Sequence, residues 1–153
     1  MKALMKTRVL PEWVDYNGHL NDAEYARLFS LAVEALLDHV GLDEIGRREN
    51  GVTVYTLETH LCYLGQAYEG QELSVTLEVL DRDSKRLHVF FRLRDEHGQL
   101  LATSEQMLMA MALGGGRPTA LPAGVNATLE GFGQTVPEQW PEQAGRRIGI
   151  RRH

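Results

Sequence analysis

The chain of 153 residues has a single cysteine, five prolines and no apolar run approaching the roughly 20 residues needed to cross a bilayer. Cys62 alone cannot close an intrachain disulfide, and Met1-Lys2-Ala3-Leu4-Met5-Lys6 lacks the apolar stretch of a secretory leader, so the expected compartment is the cytoplasm. Basic residues are also scarce. Sixteen Lys and Arg face 21 Asp and Glu, and a net charge of -5 argues against nonspecific nucleic-acid or anionic-membrane partners, although not against a local anion site. No Gly-Xaa-Ser-Xaa-Gly elbow or phosphate-cradling P-loop occurs. The six histidines never fall at His-Xaa-Xaa-Xaa-His spacing and no cysteines pair, so no metal site is expected. No internal repeat or low-complexity linker is present. With 43% hydrophobic and 24% charged residues, the chain can bury one compact core but hardly two.

What is present is strongly periodic. From Asp22 to about Val40, Tyr25, Leu28, Phe29, Ala32, Leu36 and Val40 recur at three- and four-residue steps, the stripe of an amphipathic helix. Asn21 or Asp22 can cap its start, Glu24 lies in its first turn, and Gly41 follows its end. A short helical piece, Leu42 to Glu49, is expected next, broken by Gly46 and ended by Asn50-Gly51. Four strands follow. Val52 to Leu64 puts Tyr55, Leu57, Leu61 and Tyr63 on one face and leaves Glu58 and His60 together on the other. Glu72 to Leu80, a strand through Leu87, Val89, Phe91 and Leu93, and Leu100 to about Leu113 continue the alternation, separated by the turns Asp81-Arg82-Asp83-Ser84 and Glu96-His97-Gly98. Such turns are too short for parallel crossovers. With a first strand around Thr7 to Leu10, the pattern is α+β, a curved antiparallel sheet of about five strands wrapped around one long helix. A hotdog fold fits this pattern, as does a cystatin-like or cone-shaped α+β roll. The domain is expected over residues 1–113, and residues 114–153, with Gly114-Gly115-Gly116 and four of the five prolines, are expected to be a largely irregular surface extension.

Chemistry concentrates at Asp15-Tyr16-Asn17-Gly18-His19-Leu20-Asn21-Asp22, where a carboxylate, a Gly-containing turn and an imidazole directly precede the long helix. The unpaired N–H groups and positive dipole end of a helix start are a natural oxyanion site, and acyl transfer needs such a site beside a base or nucleophile. Asp15 can deprotonate water or attack a thioester carbonyl. The plainer reading makes it an Asx-turn with Gly18 supplying the bend. His19 is a candidate to orient the loop or donate to a substrate, Asn17 to position water or substrate, and the backbone N–H of Asp22 to hold the oxyanion.

Val9-Leu10-Pro11-Glu12-Trp13-Val14-Asp15-Tyr16-Asn17-Gly18-His19-Leu20-Asn21 resembles the signature of hotdog acyl-CoA thioesterases of the 4-hydroxybenzoyl-CoA thioesterase type. Leu57-Glu58-Thr59-His60-Leu61, Lys85-Arg86-Leu87-His88, Ala102-Thr103-Ser104-Glu105-Gln106-Met107 and Pro141 to Ile150 resemble more narrowly the betainyl-CoA thioesterases of carnitine breakdown. Where those relatives often carry a His-Val-Asp-like end to the last strand, this chain has Ala110-Met111-Ala112, so no role is carried over there. The resemblance implies hydrolysis of an acyl-CoA to a free acid and coenzyme A. It also implies no cofactor beyond the coenzyme A of the substrate, and a homodimer or dimer of dimers with the site between subunits.

On that basis Glu58 and, beside it, Thr59 and His60 are candidates to complete the pocket of a partner's Asp15, against the alternative of a surface ion pair. Trp13, Tyr16 and Tyr25 are candidates to surround the acyl group, since a trimethylammonium would call for an aromatic cage. Lys85 and Arg86 are candidates for the coenzyme A phosphates, against a merely solvated turn. Two other functions compete: a hotdog β-hydroxyacyl dehydratase, whose motif this loop does not resemble, and a non-catalytic acyl-CoA-binding module.

Overall fold

The computed structural model describes residues 2–152. Its five strands are β1 Met5–Arg8, β2 Val52–Tyr63, β3 Glu72–Arg82, β4 Arg86–Asp95 and β5 Leu100–Ala112, all paired antiparallel in the order β1-β3-β4-β5-β2. The long helix α1, Asp22–His39, lies against one face of this sheet. Its Tyr25, Leu28, Phe29, Ala32, Leu36 and Leu37 meet Leu73, Val75, Val89, Phe91, Leu93 and Leu108 in one continuous core, each large side chain contributing about 1.5–3 kcal/mol through burial. Asn21 caps the helix by accepting from Ala23 N, and Gly41 beyond its end has φ 92°.

Several boundaries and faces differ from the sequence expectation. The first strand ends at Arg8, because Leu10 precedes a single 3-10 turn at Pro11–Trp13 that redirects the chain. Gly46 does not break the second helix, α2 Glu44–Asn50, but permits it: a Cβ there would stand 2.0 Å from the Gly41 carbonyl oxygen. In β2 a bulge between Thr56 and Glu58 leaves Leu57 unmatched and inverts the alternation. Val52, Val54, Thr59, Leu61 and Tyr63 therefore face the helix side, while Tyr55, paired with Met109, points to the outer side with Glu58 and His60.

The extension carries a helix, α3 Ala123–Glu130, whose Val125 and Leu129 join the core together with Leu121. Beyond it the chain crosses the outer face of the sheet. Thr135 Oγ1 donates to the Glu78 carboxylate, Trp140 packs edge-on against His88 at 5.0 Å, and Phe90 on that face is completely buried.

Candidate active site

The loop before α1 is a five-residue hairpin closed by its own carboxylate. Asp15 N donates to His19 O (2.9 Å), Gly18 N donates to Asp15 O (2.9 Å), and Gly18 takes φ 78°, a left-handed conformation that glycine adopts without strain. Asp15 Oδ1 accepts from Asn17 N (2.8 Å) and His19 N (3.1 Å). These two bonds orient the carboxylate, and among the described residues Oδ2 has no hydrogen-bond partner. The side chain is exposed, so Oδ2 is presented outward.

A segment not singled out in the sequence clamps this hairpin. Leu20 N donates to Ala67 O (2.8 Å), Glu69 N to Gly18 O (3.1 Å), and His19 forms an isolated bridge with Tyr68, whose ring meets the imidazole edge-on at 4.9 Å. Tyr68 is half-exposed and adds an aromatic face beside the loop. The segment's only signal in the sequence is Tyr68, an aromatic shortly beyond the end of β2. His19 is thus held as a support of the loop, its ring against Tyr68 and its N–H on Asp15.

At the helix start, Ala23 N is taken by the side chains of Asp22 (2.9 Å) and Asn21 (3.4 Å), and Glu24 N by Asn21 O (2.9 Å). The Asp22 N–H has no acceptor among the described residues, which leaves it free for an oxyanion. Tyr63 reaches this point from β2 and donates its hydroxyl to Asp22 O (3.3 Å); burial first, and then the nearby Asp22 carboxylate, push its pKa up.

The aromatic candidates separate. Tyr16 is 97% exposed at the tip of the hairpin, an open face beside Asp15. Trp13 is 8% exposed in the core, and the Arg27 guanidinium lies 5.7 Å from its ring centre. Its face already carries a cation from within the chain, so Trp13 and Tyr16 do not form a cage together. Tyr25 is also a core residue. Its hydroxyl accepts from Ala67 N (3.2 Å) and donates to Gly65 O (3.3 Å), and burial raises its pKa, so it pins the clamping segment rather than lining a cavity.

Glu58 and His60 share the outer face of β2, where they line a cavity of about 350 Å³ with His88, Glu105, Met107 and Arg146; Thr59 between them also borders this cavity, although its place in the strand alternation is on the helix side. No residue of the Asp15 hairpin lines that cavity. Within one protomer the structure therefore does not bring Glu58 and His60 to Asp15. Lys85 and Arg86 stand in the β3–β4 turn, but Asp83 closes this turn on itself. Its Oδ1 accepts from Lys85 N and Arg86 N, and its Oδ2 takes the Arg86 guanidinium through Nε (2.8 Å) and Nη2 (2.6 Å). Bonding to Arg86 holds the Asp83 carboxyl at about 2, and the pair presents little net charge to a phosphate. Arg86 is thus closed into the turn, whereas the Lys85 side chain forms no ion pair among the described residues.

The sheet wrapped on one helix, with an oriented carboxylate just before the helix start, is the architecture of the hotdog thioesterases. Residues 9–129 match the Thioesterase-like superfamily, and the chain belongs to that family. It is 44% identical to the betainyl-CoA thioesterase of Pseudomonas aeruginosa over 149 residues, covering 95% of this chain and 92% of that one. It is 39% identical to the L-carnitine dehydrogenase/betainyl-CoA thioesterase of Rhizobium meliloti, covering 97% of this chain and 30% of that longer protein. Among solved structures, a Staphylococcus aureus protein characterised in complex with CoA superposes with a TM-score of 0.87 at 35% identity, over 96% of this chain and 94% of that one.

Proposed function

We propose that the protein is a cytoplasmic acyl-CoA thioesterase that hydrolyses betainyl-CoA to betaine and coenzyme A. One observation carries the mechanism: Asp15 is fixed through Oδ1 with Oδ2 unengaged, directly before a helix whose first N–H is unengaged as well. The Asp22 N–H accommodates the negative charge that develops on the thioester oxygen. Asp15 Oδ2 is the atom left for either role, taking the proton of the attacking water or attacking the carbonyl itself. As the carbon–sulfur bond breaks, the thiolate of coenzyme A leaves and receives a proton; with water as the attacking group the acid departs directly as carboxylate, and with Asp15 as the attacking group a water then hydrolyses the acyl–Asp15 anhydride to free the acid and restore the carboxylate. The betainyl acyl group is supported by the relatives in Pseudomonas and Rhizobium and by the exposed rings of Tyr16 and Tyr68 beside the loop.

A homodimer is part of this reading. β2 is a 12-residue edge strand whose Tyr55 and Leu57 are about half exposed, and an apolar edge of that length favours pairing with another chain. Pairing there would bring a partner's Glu58 to Thr59 stretch toward the open side of the Asp15 hairpin.

Asp15→Asn keeps the size of the side chain and an Oδ1 able to accept both N–H groups, while removing the base. We expect thiol release from the acyl-CoA to lose at least about a hundredfold in kcat with the thermal midpoint nearly unchanged. Wild-type turnover in the folded variant would remove Asp15 from the mechanism.

A further inference from the structure

Of the two cations expected to meet the coenzyme A phosphates, Arg86 is held by Asp83, and the one remaining ammonium of Lys85 does not match the several phosphates of a substrate of this class, which needs a further cationic site. The segment after the stretch Thr135 to Gly145, which straps the outer face of the sheet, has the required composition. Residues 146–152 read Arg146-Arg147-Ile148-Gly149-Ile150-Arg151-Arg152, four arginines and no acid in a chain whose net charge is -5. All four cations are arginine, whose planar fork matches phosphate oxygens in pairs. Among the described residues none of the four forms an ion pair with a carboxylate.

The start of this segment is fixed. Gly145 N donates to both oxygens of Glu105 (2.9 and 3.0 Å), Glu105 is paired with His88 (2.7 Å), and Arg146 Nη2 donates to Cys62 Sγ (3.2 Å) on β2. From that anchor the chain runs on exposed, Ile148 at 89% and Ile150 at 80%. Cys62 is the neighbour of Tyr63, which touches the helix start at Asp22. The arginines therefore start from the outer face at the end of β2, the strand end whose opposite face carries Tyr63 to the helix start. Six extended residues reach on the order of 20 Å. Such a span suits a ligand whose phosphates are separated from its thioester by a long pantetheine arm.

We propose that Arg147, Arg151 and Arg152 form the site for the phosphates of the coenzyme A portion of the substrate, with Arg146 and Gly145 fixing the segment to the sheet. The inference rests on the acyl-CoA reading above. A second cationic cluster, Lys2, Lys6 and Arg94 with Ser74 and Thr76, borders a cavity of about 650 Å³ at the β1 side of the sheet. The strand order separates it from β2, and it serves as the control.

The test is equilibrium binding of free coenzyme A and of pantetheine, which lacks every phosphate, to the full chain. Wild type should prefer coenzyme A, with the preference falling as salt rises. The triple variant Arg147→Gln, Arg151→Gln, Arg152→Gln should lose about tenfold or more in coenzyme A affinity, so that its preference over pantetheine collapses. The double variant Lys6→Gln, Arg94→Gln should bind coenzyme A as wild type does. Undiminished coenzyme A binding by the triple variant, an equal loss on both probes, or loss in the double variant instead, would overturn the assignment. Thiol release by wild type, measured in parallel, separates the two levels. Arginine-dependent coenzyme A binding without release removes the hydrolase reading and leaves the site standing, whereas release with arginine-independent binding does the reverse.

Discussion

At the residue level the two readings of Asp15 prove compatible. Its Oδ1 makes the Asx-type turn that a purely structural role would require, and that bond aims Oδ2 away from the protein. The turn is what orients the carboxylate. The aromatics beside it divide by burial, which adjacency in sequence does not reveal: the 3-10 turn Pro11–Trp13 sends Trp13 inward under Arg27, while Tyr16, three residues later, is exposed at the hairpin tip. Trp13→Leu should accordingly cost about 2 kcal/mol or more of stability, seen in the denaturation midpoint, without changing discrimination between charged and neutral acyl groups. Tyr16→Leu should do the opposite. Its effect is expected as a loss of up to about thirtyfold in kcat/KM for betainyl-CoA and a much smaller one for 3,3-dimethylbutanoyl-CoA, which has the same shape and no charge. Equal losses on both substrates would show that Tyr16 makes no cation–π contact.

At the level of elements, α1 was legible because its apolar stripe, its Asn21 cap and the following Gly41 all point to the same boundaries, and the structure starts it at Asp22. The strands of the meander were legible for the same reason of strict alternation. The phase of β2 was not. One inserted residue, Leu57, turns Tyr55 to the opposite face from Leu61 and Tyr63, and a period-two count has no way to register an unmatched residue whose side chain is itself apolar. Gly46 was misread for a related reason: the need for a missing Cβ comes from the Gly41 carbonyl of another turn, a contact that local sequence does not encode. The closure of the β3–β4 turn was also hidden, since a Lys-Arg pair reads as two open cations until Asp83 is seen to take the Arg86 guanidinium. Here the electrostatics can be read directly. Asp83 is held at about 2 chiefly by the Arg86 side chain, below its ordinary 3.8, so its contribution to stability is present above the ordinary value and is lost as pH falls through about 2. Because the pair is exposed, the contribution is small. Carboxyl NMR should show Asp83 titrating near 2 in the wild type and shifting up in Arg86→Gln; a titration in the ordinary range in wild type would mean that the turn is not closed by this pair.

For the whole molecule, the strap across the outer face and α3 against the core convert what composition marks as an irregular extension into a covering layer, anchored through Thr135, Trp140 and Gly145. β2 remains an edge strand with Tyr55 and Leu57 about half exposed, and the order of the sheet that puts β2 there was beyond the reach of sequence periodicity. We expect sedimentation to give at least a dimer at micromolar concentration, and Leu57→Asp to shift it to monomer with loss of thioesterase activity; a fully active monomer would refute a shared site. The most direct measurement of the central claim is thiol release from betainyl-CoA by the purified wild-type chain, beside 3,3-dimethylbutanoyl-CoA and short straight-chain acyl-CoAs. Sustained multiple-turnover release, with the highest kcat/KM on betainyl-CoA, is the result predicted; tight binding of these acyl-CoAs with no release of coenzyme A would contradict it and identify the domain as a non-catalytic acyl-CoA-binding module.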